Sequence, residues 1–222
     1  MSLALREALC AASRGLEQRG LNCGTAGNLS VRFADGLLVT PSGVKPAQLT
    51  PTAIVAMALD GTLAAPEQRP SSEWRFHRDI YVARSDANAV VHVHSPYATA
   101  LACQRRDIPG FHYMIAKAGG SSVRCSAYAT FGTQALSDTA LLALEDRRAC
   151  LLANHGMIAL GADLDRAVDL TLEVETLAQQ YALALMSGTP VLLSTGEMRD
   201  ALERFKTYGA SDGQDHTQPG GG

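Results

Sequence analysis

The run Val90-Val91-His92-Val93-His94-Ser95-Pro96 sets two imidazoles two residues apart among valines. Branched β-carbons favour extended backbone, and side chains alternate faces along a strand. His92 and His94 therefore project from one face near a strand end. Ser95 has the chemistry of an N-cap and Pro96 suits the first position of a helix, so a helix follows at once. Two imidazoles so placed suit a metal ion such as zinc; the alternative is a pair of core or edge histidines bonded to backbone. A third candidate is His155, in Leu151-Leu152-Ala153-Asn154-His155-Gly156, where a polar cluster interrupts an apolar run. A buried polar group needs a partner. For His155 that partner is either the same metal or a hydrogen bond within the core. His77 falls within a helical pattern, His112 sits beside an aromatic and His216 lies in the C-terminal tail, so these fit a ligand set less well. Three neutral imidazoles leave a tetrahedral zinc one open position, the arrangement of catalytic sites.

The stretch Ser71-Ser72-Glu73-Trp74-Arg75-Phe76-His77 offers further chemistry. Two hydroxyls at a helix start, with free backbone N–H groups, attract an anion such as phosphate. Glu73 either interacts with the helix N-terminus or acts as a general base near the metal. Two loops of turn residues, 24–28 (GTAGN) and 40–43 (TPSG), offer further backbone N–H groups for an anion; each alone reads equally well as turn chemistry.

The elements that must position these groups follow from periodicity. Leu5, Leu9, Ala12 and Leu16 recur at helical spacing, and Arg6 and Glu7 interrupt any signal-like apolar run, so the chain opens with an amphipathic helix ending near Gly20. Segment 28–43 reads as a hairpin turning at Asp35-Gly36. A strand follows in 54–59, a helix in 71–84, a strand in 90–94 and a short helix from Pro96. Segment 111–132, rich in Gly and Ser, carries strand-like pieces. Helical patterns run from Thr133 to Arg147, from Leu164 to Met186 and from Glu197 to Lys206, and 150–160 reads as one buried strand broken by Gly156. Strands interleaved with helices indicate an α/β layered fold, and the hairpins exclude a purely parallel sheet. We expect one domain over 1–209 and a disordered tail over 210–222.

The chain has 222 residues, 46% hydrophobic and 18% charged, enough for one sizeable core. Its net charge of -3 gives no reason to expect nucleic acid or an anionic membrane as a partner. No apolar stretch is long enough to span a bilayer. Five cysteines without a CxxC pair read as reduced thiols of a cytoplasmic protein.

Ordered blocks carry a resemblance: GTAGNLSVR, LLVTPSG, PSSEWRFH, DANAVVHVH, HYMIAKAGG, YATFGT, LLANHG and RFKTYG, spread over 24–209. Together they resemble the class II, zinc-dependent sugar-phosphate aldolases of the L-fuculose-1-phosphate aldolase group. The resemblance implies a three-layer α/β/α fold around a mostly antiparallel sheet, and a homotetramer with active sites at subunit interfaces. It implies one zinc per chain on His92, His94 and His155, with Glu73 as the acid/base. It implies phosphate-binding loops at Gly27, Asn28, Ser42, Gly43, Ser71 and Ser72. Tyr113 would exchange a proton on the aldehyde side with Phe131 beside it, and Tyr208 would come from the adjacent subunit. Ser42 departs from the threonine of close relatives but keeps the hydroxyl. The implied reaction cleaves a ketose 1-phosphate, either L-fuculose 1-phosphate or 5-deoxy- or 5-methylthio-ribulose 1-phosphate. Its products are dihydroxyacetone phosphate and an aldehyde, formed through a zinc-stabilised enediolate. Two other functions fit the same residues less completely: a sugar-phosphate 4-epimerase or decarboxylase of the same superfamily, and a non-catalytic zinc or scaffold module.

Overall fold

The structure, a computed structural model, describes residues 2–207. Tyr208 and the tail to Gly222 lie outside the described residues. Among the described residues, eight strands form one mixed sheet: β1 (Asn28–Phe33), β2 (Gly36–Val39), β3 (Val55–Ala58), β4 (Ala89–Val93), β5 (Ile108–Pro109), β6 (Ser122–Cys125), β7 (Ala149–Leu152) and β8 (Gly156–Gly161). Their order across the sheet is β3-β2-β1-β4-β8-β7-β6-β5, and only the β6–β7 pair is parallel. The mostly antiparallel sheet expected from the sequence is therefore present.

The described residues also form six α-helices, which flank the sheet: α1 (Ser2–Gln18), α2 (Trp74–Ala83), α3 (Pro96–Cys103), α4 (Gln134–Ala143), α5 (Leu164–Ser187) and α6 (Thr195–Thr207). The period-2 alternation of the strands decides which helix meets which face. Leu29, Val31, Val91, Val93 and Ala159 pack with residues of α1, α3 and α5. Leu37, Val39, Val90, Ile158 and Leu160 pack with Phe76 and Ile80 of α2 and Leu136 and Ala140 of α4. With apolar side chains buried on both faces, the sheet is the middle of three layers. His92 shares the parity of Val90 and so faces the α2 side.

Two segments differ from the sequence-based expectation. The run 149–161 is not one interrupted strand but a tight hairpin, with Ala153–His155 forming the turn between β7 and β8. Asn154 supplies the bend at φ 55°, a left-handed conformation that Asn tolerates better than most residues. The polar break at Asn154-His155-Gly156 is only three residues long, and both flanking strands are buried at every position, so neither shows the alternation that marks a strand end. Segment 111–132 holds a short 3₁₀ helix (Tyr113–Ala118) as well as β6. Ser95 stands at the N-cap of α3, yet its side chain makes no capping bond. Glu175 of α5 replaces it: its carboxylate accepts from the Ser95 hydroxyl (2.7 Å), Tyr97 N (2.8 Å) and Ala98 N (2.9 Å). A carboxylate at a helix N-terminus also complements the helix dipole.

All five cysteines are free thiols. Among the described residues, no helix is long and apolar enough to cross a membrane.

Candidate active site

The three candidate ligands converge. His92 is the penultimate residue of the central strand β4, His94 lies just past its end, and His155 occupies the β7–β8 turn beside β4. Their ring centroids are 4.9, 4.8 and 4.8 Å apart, each pair edge-on at 72–73°. One nitrogen from each lies within 4.8 Å of the other two. Gly156 makes this approach possible. A Cβ there would come within 2.4 Å of Val93 O, 2.9 Å of the His94 ring and 3.3 Å of the His92 ring.

The chemistry of this cluster fits a metal ion. The Nδ1 of His92 lies 2.9 Å from Met157 O. A carbonyl only accepts, so Nδ1 carries a hydrogen and Nε2 is the nitrogen left to ligate a metal. Burial pushes His94 and His155 down to about 4, with the neighbouring His92 as a second cause, so both stay neutral at physiological pH. Glu73 closes the cluster. Its Oε2 lies 3.3 Å from His92 Nε2 and its Oε1 lies 3.2 Å from His155 Nε2. Oε1 is buried and accepts no hydrogen bond, an orphaned position that a cation at the cluster would satisfy. Burial works to raise the Glu73 carboxyl, but His92, His155 and the Asn28 amide outweigh it and hold the group well below the usual carboxylate range.

Glu73 occupies the N-cap of α2 without making a capping bond, so its reading as a helix-terminus charge is replaced by the role beside the histidines. Ser71 supplies the cap-like contact instead, its hydroxyl accepting from Glu73 N at 3.2 Å.

Above this floor lies a cavity of about 260 Å³. Its rim is built from the three loops singled out in the sequence, contributing Gly27 and Asn28, Ser42 and Gly43, and Ser71 and Ser72. Backbone bonds tie the loops to one another: Thr40 N to Leu29 O, Ser71 N to Thr40 O, and Ser42 N to Arg69 O. Gly27 and Gly43 adopt φ of 76° and 72°, a region where glycine avoids the steric cost of a side chain. At Gly27 a Cβ would also strike the Asn22 amide at 2.3 Å. That amide is in use, since Asn22 Oδ1 accepts from His94 N.

Phe131 lines the same cavity, together with Tyr128, Asn154 and Thr25, which sequence reasoning did not single out as site residues. An aromatic inside a Gly- and Thr-rich loop was the available signal for Tyr128. Tyr113 does not line this cavity within one chain. It stacks on His112 (4.8 Å) and Phe205 (6.3 Å) and borders a separate cavity against α6. Tyr208 lies outside the described residues.

Residues 7–182 match the family model for the class II aldolase and adducin N-terminal domain. The chain belongs to the class II aldolase family. It is 55% identical over 207 residues to the 5-methylthioribulose-1-phosphate/5-deoxyribulose-1-phosphate aldolase of Rhodospirillum rubrum, covering 93% of each chain. It is 52% identical over 192 residues to the L-fuculose phosphate aldolase of Escherichia coli K12, covering 86% of this chain and 88% of that one. A solved structure of an L-fuculose 1-phosphate aldolase superposes with a TM-score of 0.88 at 41% identity, over 91% of this chain and 96% of the other. The protein is thus an enzyme of the class II aldolase type, and its cluster of three histidines can hold a divalent metal ion.

Proposed function

We propose that the enzyme is a zinc-dependent aldolase that reversibly cleaves a ketose 1-phosphate to dihydroxyacetone phosphate and an aldehyde. One observation carries this reading: Glu73, His94 and His155 line one cavity with three polar loops, and His92 completes the imidazole cluster from the buried side. Those are the parts that C–C cleavage beside a ketone needs when no lysine forms a Schiff base. The names of the relatives, which are aldolases of fuculose, methylthioribulose and deoxyribulose phosphates, support it.

In this reading His92, His94 and His155 hold the zinc, which supplies Lewis-acid stabilisation of negative charge next to the carbonyl. Ser42, Ser71, Ser72 and the backbone amides of the glycine loops bind the phosphate and so fix the reacting carbons. In condensation, Glu73 removes a proton from C3 of dihydroxyacetone phosphate. In cleavage, it returns that proton to C3 once the C3–C4 bond has broken. Tyr113 accepts the C4 hydroxyl proton in cleavage. Its place away from the cavity in one chain supports delivery from a neighbouring copy, and hence our proposal of a homotetramer with sites at its interfaces. Tyr208 would join it there, and Phe131 would border the aldehyde end.

The test is kcat/KM for L-fuculose 1-phosphate, 5-deoxyribulose 1-phosphate and 5-methylthioribulose 1-phosphate, with release of dihydroxyacetone phosphate as the readout and zinc content measured on the same sample. Cleavage of at least one ester by zinc-loaded protein is expected. If all three are inert while ribulose 5-phosphate is epimerised, the aldolase reading is wrong.

A further inference from the structure

From Glu73 a buried chain of side chains leads away from the site, through residues the mechanism above does not use. Along α2, Glu73, His77 and Tyr81 recur at intervals of four and so share one helix face. Along β1, Asn28 and Ser30 lie two apart and share one strand face. The two faces interdigitate. Tyr81 Oη lies 2.8 Å from Ser30 Oγ, which lies 2.7 Å from His77 Nδ1. His77 Nε2 lies 2.6 Å from Asn28 Oδ1, and Asn28 Nδ2 lies 2.9 Å from Glu73 Oε2. Both His77 and Ser30 are fully buried.

Only one arrangement of hydrogens satisfies this chain. The Asn28 amide turns its Nδ2 to Glu73 and donates to Oε2. The Asn28 carbonyl oxygen then faces His77 and can only accept, so His77 Nε2 carries the hydrogen. The neutral ring leaves Nδ1 as an acceptor, which takes the Ser30 hydroxyl hydrogen. Ser30 has no second hydrogen, so Tyr81 donates to it. Burial favours each of these states. It pushes His77 down to about 3, which keeps the ring neutral, and it raises Tyr81, which keeps the phenol protonated.

We propose that His77 is a positioning residue: it locks the amide of Asn28, and through that amide it aims the Glu73 carboxylate at the reacting carbon. An asparagine amide is nearly symmetric in shape, so packing alone does not choose its orientation. If Asn28 were turned over, its carbonyl oxygen would face the Glu73 carboxylate and its NH₂ would face the N–H of His77. The neutral Nε2–H tautomer, held from behind by Ser30 and Tyr81, forbids that. The residue acts in the manner of an outer-layer group that orients a reactive one.

The inference rests on the aldolase reading for its kinetic consequence but not for its structural one, and the test separates the two. Long-range ¹H–¹⁵N correlation on the zinc-loaded wild-type protein reads the His77 tautomer directly. Nε2–H with slow exchange of the Asn28 NH₂ is expected; an Nδ1–H tautomer overturns the proposal whatever the enzyme's substrate. Kinetically, His77→Phe should lower kcat about tenfold or more, the usual scale for an orienting partner. KM for the ester and bound zinc should stay within about twofold. His77→Gln places an N–H donor near the position of Nε2 and should recover most of the kcat. A folded, zinc-loaded His77→Phe protein with wild-type kcat overturns the proposal. So does a His77→Gln protein no better than His77→Phe. Should His77→Phe fail to fold, Ser30→Ala, which releases the ring from behind, should lower kcat with KM unchanged; wild-type kcat in that variant also overturns it.

Discussion

Glu73 is held by groups of different kinds: two imidazole nitrogens and one amide. Glu73→Gln keeps the size of the side chain and removes its basicity. We expect the fold and metal to persist and turnover to fall ~10²–10⁴-fold, as for loss of a positioned acid/base. Exchange of the C3 proton of dihydroxyacetone phosphate with deuterated water is the decisive assay, since it isolates the step assigned to Glu73; undiminished exchange would remove it from the mechanism. A second expectation concerns His77, whose folded-state value of about 3 lies below the ordinary 6.5. The folded state refuses a proton that the unfolded chain accepts. The stability contributed is therefore complete above about pH 6.5 and drains away as pH falls toward 3. Thermal midpoints between pH 7 and 4 should fall less steeply for His77→Gln than for the wild type. His92 and His94 were legible in the sequence because a period of two forces them onto one face. His155 was ambiguous because nothing local distinguishes a ligand from a core histidine. The service of His77 to Asn28 was hidden, because it depends on a helix and a strand 47 or more residues apart meeting in register.

At the scale of elements, the site is a property of how closely the β7–β8 hairpin approaches β4. Gly156 opens β8 where Val93 O and the rings of His92 and His94 crowd its α-carbon. Gly156→Ala should force the strands apart, with ~1–3 kcal/mol lost from stability, as for an overpacked core. Urea denaturation of metal-free protein checks the stability, and zinc content checks the ligands; an unaltered metal site would show that the backbone yields without moving the imidazoles. Helix α2 is held on the same face of β1 at three successive positions. Asn28 and Ser30 grip its middle, and Arg32 donates to Tyr81 O, Arg84 O and Ala87 O at its end. The hairpin of β1 and β2 was readable from Asp35-Gly36, and α2 from its apolar spacing. The β7–β8 turn was not, because strands buried on both faces lose the alternation that marks a boundary. The capping of α3 by Glu175 was likewise out of reach, since the carboxylate comes from a helix about 80 residues away.

The whole molecule sets Tyr113 against α6, away from the cavity floored by the histidines. We expect a tetramer in solution that brings tyrosines across subunit boundaries. Light scattering should report about four chains, and an active monomer would refute the arrangement. Removing the chain from Tyr208 onward should slow cleavage more than it weakens phosphate binding. The three-layer architecture was foreseeable from interleaved strands and helices, whereas the strand order depends on long-range pairing that no local pattern encodes. That order puts β4 fourth of eight, hydrogen-bonded to β1 on one side and β8 on the other. The backbone carrying His92 has no free edge and no solvent-facing side. Its amide hydrogens should exchange with deuterium only when the whole domain opens, on the slowest timescale the protein has. The loops around the cavity should exchange far sooner, so the clock of the enzyme would run at two speeds: a ligand strand that waits for global unfolding, and a substrate rim that breathes many times in between.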